Sequence, residues 1–390
     1  MILASLIVLA ATMLLFGYAY VVYPFVLWLA GRGRQPVAPV EPTAWPPITI
    51  VVVAHNAAPA IRRTLEHLIA ADYPADRRQI LVVSDGSTDE TEAIVGEFAS
   101  RGVELLRIER RSGKTTGENA AGPVVRGDVV VSTDATLIVP PGSVKSLVRH
   151  FADPGVGVVS GRGVSISAGD ANAARLTAGE ARYLDYETHV RSLESRFGSI
   201  MGATGQLYAQ RRELFQVALT PTFVTRDFAS TLIAYERGYR SLQDDNASCL
   251  VVRNPSLQLE YERKARTIVL GLDTLFQYPH LLDPMRHGWF AFMLLSHKLS
   301  RWGVYLLAPF AFLGLFVLAA QSGVAYGLLL ATLAAAAAGL LGIYWPRTRP
   351  VSAVLAACGF IVALGAAGAA GWIRFLRGQH ATTWKPTARS

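Results

Sequence analysis

The chain has 390 residues, enough for two or three domains. It is 51% hydrophobic, has a mean hydropathy of +0.31 and carries a net charge of +8, a balance that excludes an ordinary soluble protein. Two cysteines, Cys249 and Cys358, exclude a disulfide framework or a cysteine-rich metal cluster, and no basic–aromatic run of the kind single-strand binders use is present, so nucleic acid is not an expected partner.

The apolar excess is localised. No charged residue occurs from Ile2 to Ala30, a stretch long enough to cross a bilayer. It lacks a basic leader and ends in Tyr23, Pro24 and Trp28 rather than a small-residue cleavage site, so residues 1–30 read as a retained transmembrane helix. Residues 31–47 are rich in Pro and Arg and read as a linker.

A strand is expected from Ile48 to Val53, ending in Ala54-His55-Asn56, followed by a helix with Ile61, Leu65, Leu68 and Ile69 at helical spacing. Ile80–Ser84 reads as a second strand, and Asp85-Gly86-Ser87 as the tight turn after it. A helix over Glu92–Ser100 and strands at Val103–Ile108 and Val129–Ser132 follow, the last ending in Thr133-Asp134-Ala135-Thr136. Strands alternating with helices imply a mostly parallel α/β sheet. Asn56, Asp85 and Asp134 then share one edge, the C-terminal lip where ligands bind in such sheets. The plainer reading of Asp85 is that it organises its own turn.

Between the third and fourth strands lies Arg110–Ala121, with Gly113-Lys114-Thr115. A nucleotide-hydrolase phosphate loop needs a glycine five residues before Gly113, where Ile108 stands, so that motif is excluded. Lys114 can still meet phosphate oxygens. Asp227 precedes an apolar helical pattern, Leu232, Ile233 and Tyr235, and could simply cap it. Tyr183, Tyr186, Val190 and Leu193 recur at helical spacing and read as core. Residues 271–301 mix Phe276, Trp289 and Phe292 with His280, Arg286 and His297, which suits helices in the headgroup layer. Residues 302–373 hold apolar blocks for about three more transmembrane helices, and 374–390 form a basic tail. Arg32, Arg34, Lys298, Arg301, Arg347 and Arg349 flank the spans and place residues 31–301 in the cytoplasm by the positive-inside rule. Three crossings after that domain put the basic tail outside, against the same rule.

The order Ala-His-Asn, Asp-Gly-Ser-Thr-Asp, Gly-Lys-…-Asn and Thr-Asp-Ala resembles the nucleotide-binding half of family-2 glycosyltransferases with a GT-A fold. Gly202–Arg212 resembles the family's acceptor-side loop and strand, and Thr225-Arg226-Asp227 stands where the family has Thr-Glu-Asp. Arg263-Lys264-Ala265-Arg266-Thr267 stands where processive members carry an arginine-tryptophan motif, and Trp384–Arg389 resembles the ends of membrane-embedded members. The resemblance implies a GT-A domain over residues 48–270 and an inverting glycosyltransferase. It implies a nucleotide-diphosphate sugar donor, UDP-linked, and a lipid-linked or glycan acceptor at the cytoplasmic face of the inner membrane, for envelope or exopolysaccharide synthesis. Asp85, Ala54, His55 and Asn56 are expected to line the nucleotide pocket, with Lys114 beside it. Asp134 is expected to hold Mg2+ or Mn2+, Asp227 to be the general base, and Arg263 or Arg266 to face the leaving diphosphate. Thr136 replaces the second metal acid, Arg226 an acid, and Thr267 the channel tryptophan. These departures point to single or short-run transfer, and they leave two alternatives: a glycolipid synthase acting on ceramide or polyprenyl phosphate, and a catalytically weak scaffold among other polysaccharide-assembly proteins.

Overall fold

A computed structural model describes residues 1–34, 39, 41–167, 171–253, 256–346 and 349–380. The tail motif at Trp384–Arg389 and the flanking Arg347 lie outside them. In chain order the main elements are α1 (Ile2–Ala30), β1 (Ile48–Ala54), α2 (Ala58–Ile69), β2 (Arg78–Asp85), α3 (Thr91–Glu97), β3 (Val103–Ile108), α4 (Lys114–Ala121) and β4 (Val129–Asp134). Then come α5 (Ser143–Val148), β5 (Val156–Ser167), α6 (Ala171–Ser195), β6 (Leu207–Arg211), α7 (Arg226–Glu236) and β7 (Arg240–Arg253). The chain continues with α8 (Leu257–Leu275), α9 (Pro284–Ala319), α10 (Gly323–Ile343) and α11 (Ala353–Leu376).

These elements fall into two compact units. One is built from Gly33–Ile166 and Leu184–Arg253, the other from Met1–Arg32, Ser167–Tyr183 and Asn254–His380.

The first unit is an α/β domain around a seven-stranded sheet of order β3-β2-β1-β4-β6-β5-β7. β1 to β4 are mutually parallel, and β6 runs antiparallel to both β4 and β5. β1 shows why it is central. Its residues alternate between two faces. Ile48, Ile50 and Val52 enter one apolar cluster, and Val51 and Val53 enter the other. A strand covered on both sides is apolar nearly throughout, as Ile48–Ala54 is except at buried Thr49, whose hydroxyl donates to Gln79 Oε1 at 2.7 Å. The register sets Ala54 beside Ser84, Val53 beside Asp134, and Asp85 beside Ile108. The three expected lips therefore do end on one edge.

Among the described residues of the second unit, four helices are long and apolar enough to cross a membrane: α1, α9, α10 and α11. Residues 279–301 fall within the segment expected to lie in the headgroup layer. A short 3-10 turn at Pro279–Leu282 leads into α9, which runs through to Ala319 with a non-helical Gly288 at φ 49°, a π-helical turn at Leu295–Leu299 and Pro309 inside its last stretch. Trp372 on α11 ties back to α9 by donating its indole N–H to the Trp302 carbonyl at 2.7 Å.

Candidate active site

The site lies at the C-terminal edge of β1, β2 and β4. Its rim is made by two turns stapled together. His55 is buried, and its Nδ1–H donates to the Asp85 carbonyl oxygen at 2.7 Å. Asn56 sits at φ 46°, the left-handed region that asparagine tolerates better than most residues. It holds that conformation with its Oδ1 accepting from the Thr88 N–H at 2.8 Å and its own N–H donating to Ser87 Oγ at 3.2 Å. Asp89 fixes the start of α3, accepting from Thr91 N–H at 3.0 Å and Ala58 N–H at 3.1 Å. Burial raises the Asp89 pKa, but the hydrogen bonds from Thr91 and Ala58 outweigh it and hold the carboxyl below its ordinary value.

Asp85 has no accessible surface. Its two oxygens accept from the Ser112 N–H at 2.6 Å and the Gly113 N–H at 2.8 Å. The expected direct contact with a nucleotide is therefore not open to it in this conformation. Its carboxylate here holds the loop that opens α4 rather than its own turn. Gly86 lets the two segments meet: at φ 61°, a Cβ on it would stand 2.5 Å from the Arg111 nitrogen.

Lys114 begins α4 and reaches across the edge of the sheet. Its Nζ donates to Asp134 Oδ1 at 2.7 Å and to the Gly205 carbonyl at 3.1 Å. Both members of the Lys114–Asp134 pair keep 33% of their side-chain surface open, so the pair faces the cleft. Burial opposes the ammonium charge, but Asp134, Glu118 and Asp227 outweigh it and raise the Lys114 pKa.

Asp227 stands in the first turn of α7, half-buried. Thr225 occupies the capping position, and Asp227 Oδ1 accepts from the adjacent Phe228 N–H, at 3.0 Å. Its main-chain carbonyl accepts from Ala203 N–H at 3.1 Å. Gly205 passes so close that a Cβ there would lie 2.5 Å from Asp227 Oδ2. The Gly202–Gln206 loop thus touches both Lys114 and Asp227.

Two residues that the sequence did not single out for the site complete it. Glu118, four residues after Lys114 on α4, is 2% exposed. Burial, the largest cause, raises its pKa, with Lys114 and Arg226 opposing and Asp227 and Asp134 adding. Tyr208 on β6 is buried opposite Ser132, and burial, Glu118 and Asp227 push its phenol well above its usual value. The helical spacing of Lys114 and Glu118 was the available signal for Glu118; nothing in the sequence marks Tyr208.

Among the described residues no group of three His, Cys, Asp or Glu side chains could hold a metal. Asp134 offers a single carboxylate, and its Oδ1 is taken by Lys114 Nζ at 2.7 Å. Mg2+ can be held through one carboxylate when substrate phosphates and water supply the other oxygens.

Arg263 and Arg266 belong to the other unit. Arg263 is engaged by Glu180 and Glu260, which hold its charge against burial. Glu180 also pairs with Lys264 at 3.0 Å. Arg263 is thus held by carboxylates of its own unit.

Residues 49–218 match the family described as glycosyl transferase family 2. A beta-monoglucosyldiacylglycerol synthase of Synechocystis sp. is 31% identical over 122 residues, covering 30% of this chain and 26% of that protein. An N-acetylglucosaminyltransferase of Mesorhizobium japonicum is 28% identical over 197 residues, covering 47% and 43%. The chain thus spans less than half the length of these curated relatives. Among solved structures, the mannosyltransferase PcManGT from Pyrobaculum calidifontis, in complex with GDP-Man and Mn2+, superposes with a TM-score of 0.71. That match covers 95% of this chain and 99% of the other at 23% identity, and it shows a common fold.

Proposed function

From the family-2 glycosyltransferase domain that residues 49–218 form, we propose that this protein transfers a sugar from a nucleotide-diphosphate donor, UDP-linked, to a lipid-linked or glycan acceptor, inverting the anomeric carbon. The observation that carries the reading is the Lys114–Asp134 pair facing the cleft, with Asp227 held beside it by the Gly202–Gln206 loop.

A sugar or lipid hydroxyl is a weak nucleophile. Asp227 takes its proton as the oxygen attacks the anomeric carbon. The new C–O bond forms as the bond from that carbon to the diphosphate oxygen breaks, and the electron pair leaves with the diphosphate. The Lys114 ammonium stands where that charge gathers. Asp134 would hold a divalent cation brought in on the diphosphate, and such a cation supplies further charge neutralisation. PcManGT was solved with Mn2+ and a nucleotide sugar, which supports this arrangement by fold alone. Asp85 acts at one remove, by holding the loop from which Lys114 projects.

The acceptor reading favours a lipid. The Synechocystis relative is named as a synthase of a glucosyl-diacylglycerol, and this chain has four helices able to cross a membrane. The flanking arginines support a domain on the cytoplasmic side of the inner membrane.

The test is release of nucleoside diphosphate by detergent-purified protein over a panel of UDP- and GDP-sugars, with Mn2+ or chelator, and with or without bacterial lipid extract. Asp227→Asn is assayed beside it. One donor is expected to turn over with lipid present, and the substitution to lower kcat by about 10²–10⁴-fold, the usual worth of a general base. Silence with every donor and with lipid extract present would overturn the enzyme reading in favour of a scaffold.

A further inference from the structure

Behind the open face of the cleft lies a charged pair with almost no access to water. Arg226, the first residue of α7, has a side chain 1% exposed. It donates to the Phe215 carbonyl at 2.8 Å, to the Val217 carbonyl at 3.1 Å and to Asn119 Oδ1 at 2.6 Å. Its guanidinium carbon lies 4.8 Å from the centre of the Phe215 ring. The acid paired with it is Glu118, with Oε2 3.7 Å from the arginine Nε. Glu118 and Asn119 are neighbours on α4, and Arg226 is joined to Asp227 by one peptide bond. The pair therefore ties the helix that carries Lys114 to the helix turn that carries Asp227.

Buried ion pairs are weak stabilisers, because desolvation offsets most of the attraction and apolar residues of like volume often serve as well. What such a pair does supply is a fixed direction. We propose that Glu118 is a positioning residue for Asp227, acting through Arg226; the inference rests on Asp227 being the base. The carboxylate of Asp227 has few restraints of its own: the Phe228 N–H on one oxygen and the close pass of Gly205 against the other. Its place is set by the backbone of the first turn of α7, and that turn is pinned by Arg226. Without Glu118, the guanidinium keeps its carbonyl partners but loses its counter-charge in a closed space.

Charge gives the readout that mere packing would not move. Glutamine at position 118 keeps the size of the side chain and removes its charge, whereas aspartate keeps the charge on a shorter stem, so the two substitutions separate the counter-charge to Arg226 from the filling of space.

The experiment compares wild type, Glu118→Gln and Glu118→Asp by steady-state kinetics, in the full chain in detergent. Glu118→Gln is expected to lower kcat about tenfold and to leave the donor KM within about twofold. Glu118→Asp, which keeps the charge, is expected to recover most of the lost kcat. An unchanged kcat in Glu118→Gln overturns the inference, and so does a loss carried by donor KM or one that Glu118→Asp does not relieve. If Glu118→Gln shows no melting transition, Arg226→Lys takes its place. It keeps the charge and removes the fork, and is expected to lose kcat with KM retained; full kcat overturns the proposal. Wild-type turnover separates the two readings. Its absence with every donor overturns both, whereas turnover with an indifferent Glu118 overturns this one alone.

Discussion

At the scale of single residues, the site depends on how closely the Gly202–Gln206 loop approaches the base. Gly205 has its carbonyl on Lys114 and its Cα against Asp227. An alanine there adds one carbon that would stand 2.5 Å from Asp227 Oδ2, inside contact distance, so either the carboxylate or the loop must move. A displacement near 1 Å at a reacting group costs on the order of 10²-fold in rate. Gly205→Ala is therefore expected to cut kcat by about 10–100-fold while the protein melts within a few degrees of wild type. Full kcat in that variant would mean that Asp227 does not need its present place. The residue scale is also where sequence reading was most uneven. The family resemblance singled out Asp134, Lys114 and Asp227, and the fold sets Lys114 against Asp134 and the Gly202–Gln206 loop against Asp227. The work of Asp85 was not, since its partners Ser112 and Gly113 lie 27 and 28 positions away. Arg226 read only as the replacement of an acid, and burial makes it an anchor.

At the scale of elements, the parallel half of the sheet was legible, whereas of the antiparallel half only β6 was, through the resemblance of Gly202–Arg212. β1, β2 and β4 announce themselves as apolar runs because they are covered on both faces. β5 carries Gly157, Gly161 and Gly163, and β7 carries Ser241, Gln243, Asp244, Asp245 and Asn246, so neither shows a simple apolar period. The polar residues of β7 have partners that only the fold supplies. Asp244 is buried against His150 Nε2 at 2.9 Å and an Arg149 N–H at 3.0 Å, which ties the turn after α5 to the strand. Burial raises the Asp244 pKa, but His150, the Asn246 N–H and Arg149 outweigh it and hold the carboxyl below its ordinary value. A carboxyl with a lowered folded pKa stabilises the fold fully above its unfolded value of about 3.9, and that contribution is lost as pH falls through the lower folded value. Wild type is thus expected to lose stability on acidification below about pH 4 more steeply than Asp244→Asn, which has no such charge to lose. Urea midpoints at pH 7 and pH 3 check this. Equal slopes for the two proteins would remove Asp244 from the acid response.

At the scale of the whole molecule, the order of segments matters more than any one element. The α/β unit is not one stretch of sequence. It is interrupted by Ser167–Tyr183, which belongs with the helical unit, so α6 has its first half in one unit and its second half in the other. Apolar periodicity predicted a helix there but gave no sign of the division, because the partners of its first half come about eighty residues later and beyond. Glu180 is buried and paired with Arg263 and Lys264, Lys264 also lies 3.9 Å from the centre of the Tyr183 ring, and Arg175 donates to the Val351 carbonyl at 3.2 Å. A fragment of residues 33–253 keeps every strand of the sheet and removes all of these partners. Its first half of α6 then has only its own helical propensity, and isolated helices shorter than about 12–15 residues are marginal in water. Limited trypsin digestion of the fragment is expected to cut after Arg175 and Arg182 well before any site within the sheet. The full chain in detergent is expected to resist at both positions by at least about tenfold in rate, since cleavage follows the population of the open form. Full-length Glu180→Ala, which leaves Lys264 without its acid, should fall between the two. Equal protection of Arg175 and Arg182 in fragment and full chain would mean that α6 holds itself, and that the α/β unit can be cut free of the helices without consequence.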